Sequence, residues 1–121
     1  MLNLDTHILI GLVSGQLTQT ELRCIQSDES AVSDIVLWEI SKLHQKIRIG
    51  FGVDEPKFVE ILNHLTIFPI TVDIARQSCE MDFNSDPADE IIAATSVIHQ
   101  IPLLTRDGKI RKSKLVKFPH T

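Results

Sequence analysis

"MLNLDTHILIGLVSG", residues 1 to 15, changes character at a single position, Asp5. Before it, "MLNL" is a short apolar strand candidate. After it, "THILIGLVSG" has the apolar periodicity of a helix and stops at Gly15. A buried strand followed at once by a helix is the repeating unit of an α/β fold. It also leaves an acid at the carboxyl end of the strand, the place where sites lie in open parallel sheets.

The same alternation continues along the chain. "LTQTELRCIQS" reads as a helix, "SAVS" as a strand, "DIVLWEISKLHQKIR" as a strong helix, and Gly50 and Gly52 as a turn. "EPKFVEILNHL" reads as a helix and "TIFPITV" as a strand whose Pro69 suits an edge or strand end. "DIARQSCEM" and "DPADEIIAATSVIHQ" follow as helices, with "IPLLTRD" as a buried strand. "GKIRKS" is a turn or short helix, and "LVKF" is a last strand. The pattern predicts an α/β sandwich around a mainly parallel sheet, in one domain spanning residues 1–121.

Composition narrows the function classes. Of the 121 residues, 43% are hydrophobic and 23% charged, the balance of a globular protein and not of a disordered one. Residues 1–105 hold 6 basic and 15 acidic residues, a net of −9, whereas residues 106–121 hold 6 basic residues and Asp107, a net of +5. A basic end on an acidic body suits either a polyanion or a solvated terminal helix. Cys24 and Cys79 show no CxxC spacing, the start lacks a basic signal-peptide region, and no apolar run is long enough to span a membrane. The expected setting is the cytoplasm, with reduced thiols and no membrane contact. The five histidines form no HxxxH or HxH pair, and no Ser-His-Asp pattern or Gly-rich phosphate loop is present. Zinc and nucleophilic serine chemistry are therefore disfavoured.

The acids form a pattern of their own. Asp107 follows the "PLLT" strand as Asp5 follows the first. On the third helix, Val36, Ile40, Leu43 and Ile47 define the buried face; Glu39 falls about 60° from its centre and Gln45 about opposite. At the mouth of the helix in "DPADEIIAATS", Asp86 reads as the N-cap and Pro87 as the first helical residue. Asp89 lies in the first turn, where it can point at the sheet edge. Four carboxylates meeting at one sheet edge would repel and raise one another's pKa, and Mg²⁺ or Mn²⁺ would offset that while leaving waters for a phosphate substrate. Each acid alone has a plainer reading, as a turn residue, dipole partner or surface charge. Trp38, about 160° from the buried face, reads equally as an interface residue or as packing beneath a neighbouring helix.

"LDTH", "SDIVLWEI" at 33–40, "DPADEIIAATS" at 86–96 and "PLLTRDGKI" at 102–110 together resemble the PIN-domain family, specifically the VapC-type toxins of prokaryotic toxin–antitoxin systems. The resemblance implies a PIN-like three-layer sandwich with a five-stranded sheet flanked by helices. It implies a Mg²⁺- or Mn²⁺-dependent endoribonuclease whose catalytic and metal-binding acids are Asp5, Glu39, Asp89 and Asp107, supported by Thr6, Thr105 and Asp86. RNA backbone contacts would come from Arg106, Lys109, Arg111 and Lys112. The expected partners are RNA, a cognate antitoxin and a second copy in a homodimer. Where the family commonly shows Asp-Arg after "DPxx", this chain has Asp89-Glu90. Two competing readings stand beside it: a catalytically silent PIN-like RNA-binding module, and a phosphoacceptor receiver domain. The receiver would need two adjacent acids after the first strand, an acceptor aspartate at a mid-chain strand end and a lysine near the last strand's start. Here "LDTH" offers one acid, and Arg106-Asp107 occupy the lysine context after "LLT".

Overall fold

A computed structural model describes residues 1–120. Four parallel strands form the sheet: β1 (Leu2–Leu4), β2 (Ser30–Ser33), β3 (Thr66–Phe68) and β4 (Leu103–Leu104), in the order β3-β2-β1-β4. The chain steps outward from β1 to β2 and β3, then returns to the other side of β1 for β4. Strand order therefore reverses at β1, and a crevice opens beyond its carboxyl end, where Asp5 stands.

Helices fill every crossover: α1 (Thr6–Ser14) and α2 (Gln19–Gln26) after β1, α3 (Ile35–Gln45) and α4 (Pro56–Leu62) after β2. α5 (Val72–Ser78) and α6 (Pro87–His99) follow β3, and α7 (Gly108–Arg111) follows β4. Local chemistry sets the ends. Asp5 caps α1 through Thr6 N–H, and Gly15 closes it with φ +69°, a conformation that costs glycine nothing. A reciprocal Thr18–Glu21 capping box starts α2. Leu4, Ile8, Leu9, Val32, Ile40, Phe58, Ile92 and Leu103 are buried between sheet and helices. Each stabilises the fold by roughly 1.5–3 kcal/mol relative to exposure.

Three expectations are corrected. The sheet has four strands where five were expected, because "LVKF" does not form a strand. Ser113 Oγ accepts hydrogen bonds from Leu115 N–H and Val116 N–H, which bends this segment. It meets β4 through the Leu103 N–H to Lys117 C=O bond, at 2.9 Å. Ile47 lies off the buried face, 90% exposed, because α3 ends at Gln45 and Ile47 takes φ +56°. The strand in "TIFPITV" stops at Phe68, ahead of Pro69, and Val72 already belongs to α5.

Asn3 is the polar exception on a buried strand. Leu2 and Leu4 are its apolar neighbours, and Asn3 donates from Nδ2 to Ile92 C=O (3.1 Å) and Ser96 Oγ (2.9 Å). These bonds tie β1 to α6. Asp89 shares the face of Ile92 and Ser96 at helical spacing, so the tie also fixes where Asp89 stands relative to Asp5.

Candidate active site

Asp5 is buried at the end of β1. Its Oδ1 accepts from Thr6 N–H (2.8 Å) and its Oδ2 from Thr105 Oγ–H (2.5 Å). Thr6 then donates its own hydroxyl to Glu39 Oε1, joining α1 to α3. Thr105 Oγ also accepts from Asp107 N–H (3.0 Å), which sets the turn that delivers Asp107. Two buried threonines thus place three of the four expected acids. Asp89, half-buried at the start of α6, accepts from Ser85 Oγ–H (2.7 Å).

Electrostatics ties the four together. Burial is the main cause that raises the pKa of Asp5, Glu39 and Asp89. Asp107 and Asp5 then push Asp89 further up, Asp89 and Asp5 push Glu39, and Asp107 pushes Asp5. Hydrogen bonds from Thr105, Thr6 and Ser85 oppose these shifts. Asp5, Glu39 and Asp89 therefore each carry a desolvation cost and feel neighbouring acids as like charges.

The donor set is oxygen-only, with carboxylates flanked by hydroxyls, and such hard ligands suit Mg²⁺ or Mn²⁺ and not zinc. Among the described residues, no three His, Cys, Asp or Glu side chains are gathered tightly enough to hold one metal ion between them. The hydrogen bonds explain the spread. Asp5, Glu39 and Asp89 each lean on a local hydroxyl, and Asp107 Oδ1 caps α7 through Lys109 N–H (2.9 Å) and Ile110 N–H (3.0 Å).

Asp86 departs from expectation. It holds the N-cap position of α6 with extended backbone, yet its side chain makes no capping hydrogen bond. Pro87 fixes the first helical φ by itself. The Asp86 carboxylate instead lines the cleft that also contains Asp89, Asp107, Lys109 and Lys112.

The four cations divide. Lys109 and Lys112 line that cleft. Arg106 makes a two-pronged pair with Glu21 (2.7 and 2.6 Å) and a bond to Gln16 C=O (3.2 Å), and lines a separate pocket with Asp5, His7 and Asp107. Arg111 donates to Thr105 C=O (3.2 Å) and stacks over Phe118, so it braces the loop that carries the acids. Three residues of the site were not singled out in the sequence: Ser85, Asn3 and His7. Ser85, immediately before "DP", carried a weak signal as a serine at a helix entrance. A buried asparagine inside "MLNL" carried a stronger one. Exposed His7 lines a pocket with Asp5 and Asp107.

A parallel sheet with acids gathered at its switch point is the frame of a PIN domain. The sequence matches that family over residues 3–114, and the chain belongs to it. The receiver alternative falls with this match. Ribonuclease VapC22 of Mycobacterium tuberculosis is 30% identical over 91 residues, covering 73% of this chain and 70% of the relative. Among solved structures, a toxin–antitoxin complex from Klebsiella pneumoniae superposes with a TM-score of 0.74 at 24% identity, covering 99% of this chain and 98% of that chain. VapBC2 from Rickettsia felis, bound to a DNA fragment from its promoter, gives a TM-score of 0.74 at 15% identity, with 98% of each chain covered. These two likenesses bear on the fold alone.

Proposed function

We propose that this chain is a single-domain, metal-dependent endoribonuclease, the toxin of a toxin–antitoxin pair. The observation that carries the reading is the burial of Asp5 and the partial burial of Glu39 and Asp89 around the end of β1, which raises all three pKa values, with neighbouring acids pushing them further up. Folding does not need that arrangement, and electrostatics opposes it. Kinship with VapC22, a named ribonuclease, supports the same reading.

Asp5, Glu39, Asp89 and Asp107 would hold Mg²⁺ or Mn²⁺, which when bound supplies an acidified water and charge stabilisation at the scissile phosphate. The chain's own residues do the positioning. Thr6 and Thr105 fix the carboxylates of Asp5 and Glu39 through hydroxyl donors, and Ser85 fixes Asp89. Lys109 and Lys112 attract the phosphodiester to the cleft, while Asp86 adds a negative charge to its rim. Asp107 Oδ1 stays on the backbone of α7, so that carboxylate is rigidly oriented.

The partners proposed are an antitoxin that occludes the cleft and a second copy in a homodimer, in the cytoplasm. The structural relatives include toxin–antitoxin complexes, and among the described residues no helix is long and apolar enough to cross a membrane. The deciding experiment is cleavage of end-labelled single-stranded RNA with Mg²⁺, with Mn²⁺ and with chelator. Cleavage is expected with metal in the wild type and absent in Asp5→Asn. Metal-independent cleavage, or full activity in Asp5→Asn, would overturn the proposal.

A further inference from the structure

Trp38, the one tryptophan of the chain, is 54% exposed on α3, immediately before Glu39. Lys42 lies one turn further on, its Nζ 5.9 Å from the centre of the indole ring. Together with Lys46, Asp86 and Pro87 they line a cleft of about 580 Å³, whose wall also includes Glu39. The adjoining cleft holds Asp86, Asp89, Asp107, Lys109 and Lys112. Asp86 belongs to both, so the cleft of the indole and the cleft of the acids and lysines adjoin at this residue.

An exposed indole with the Lys42 ammonium beside it, and Lys46 lining the same cleft, offers two kinds of contact at once: a π-face and positive charge. A nucleotide presents the complement in one unit, a base that stacks and a phosphate that pairs. Stacking tolerates any base, so such a platform would place the strand without fixing its sequence. We propose that this cleft is a stacking subsite for one nucleotide of single-stranded RNA next to the cleaved bond. Trp38 is its platform, and Lys42 and Lys46 hold the adjoining phosphates. The inference rests on the nuclease reading above and adds a positioning residue outside the acidic cluster.

Because Trp38 is the one tryptophan, its emission reports on this cleft alone. The test titrates the wild-type chain, in chelator to prevent cleavage, with a 5′-labelled oligouridylate. Binding is followed by label anisotropy and stacking by Trp38 emission. Binding with strong quenching is expected, and an oligomer carrying abasic sites should bind more weakly and quench less. In cleavage assays with metal, Trp38→Ala should raise KM roughly 5- to 150-fold with little change in kcat. Trp38→Phe should recover much of that loss, which a merely structural role would not predict. Binding without quenching, or an unchanged KM in Trp38→Ala, would overturn the subsite. So would a Trp38→Ala chain that loses its KM only because light scattering shows a dimer falling apart, since the ring would then face a second copy. No RNA binding in chelator would overturn the subsite, and absence of cleavage with metal as well would overturn the nuclease reading. Metal-dependent cleavage without quenching would sink the subsite alone.

Discussion

Asp86 and Asp89 stand three positions apart at one helix mouth, and their carboxylates do different things. Asp89 is half-buried, bonded to Ser85 and pushed up by Asp5 and Asp107; Asp86 is exposed and caps nothing. Asp86→Ala should therefore change stability by no more than about 0.5 kcal/mol, the range of an ordinary surface substitution and below that of a lost N-cap bond. Thermal melts check this, and a larger loss would mean that the side chain caps α6 in solution. Asp89→Asn and Asp5→Asn should abolish RNA cleavage and leave the metal-free melting temperature equal or higher. The sign follows from the raised pKa values. These groups bind protons more tightly folded than unfolded, so their charged forms oppose folding near neutral pH. Matched melts in chelator would contradict this if either Asn variant were markedly less stable.

At the scale of elements, two polar ties hold the site's supports in register. Asn3 joins β1 to α6, and Asn3→Ala should cost about 1–3 kcal/mol by leaving buried groups without their partner. It should also lower cleavage, because Asp89 rides on α6. Denaturant melts and assays on one preparation measure both. The second tie joins α2 to the loop after β4 through Glu21 and Arg106, and holds the Glu21 carboxyl at about 2 instead of 4.5. A depressed acid stabilises above its unfolded value and loses that contribution as pH falls through its folded one. The stability advantage of wild type over Glu21→Gln should thus be full above about 4.5 and fade toward about 2. A constant gap across that window would contradict the pairing. This tie also shows where sequence reading stops. Arg106 sits in a basic stretch, and its partner, Glu21, lies 85 positions away and leaves no periodic trace. The helices were legible from periodicity and caps. The "LVKF" strand failed because Ser113 bends the chain by side-chain hydrogen bonds that hydrophobic pattern does not record.

For the whole molecule, the strand order β3-β2-β1-β4 explains why acids scattered between positions 5 and 107 meet at all. The chain reverses around β1, so the ends of β1 and β4 and the first turns of α1 and α6 share one crevice. Asp5 and Asp107 could be placed from sequence because each follows a strand. Their distances, and which carboxylate each supporting threonine bonds, could not, since those depend on packing between elements. If the chain is a toxin, expressing it alone should arrest growth, and an Asp5→Asn chain made at equal level should not; equal growth of both would count against that role. The central claim is that these carboxylates serve divalent metal binding and do not act only as separate structural ends. Calorimetric titration of Mn²⁺ into wild type, Asp5→Asn and Asp86→Ala tests it most directly. Wild type and Asp86→Ala should bind alike and Asp5→Asn should lose most of its affinity; undiminished Mn²⁺ binding by Asp5→Asn would contradict it.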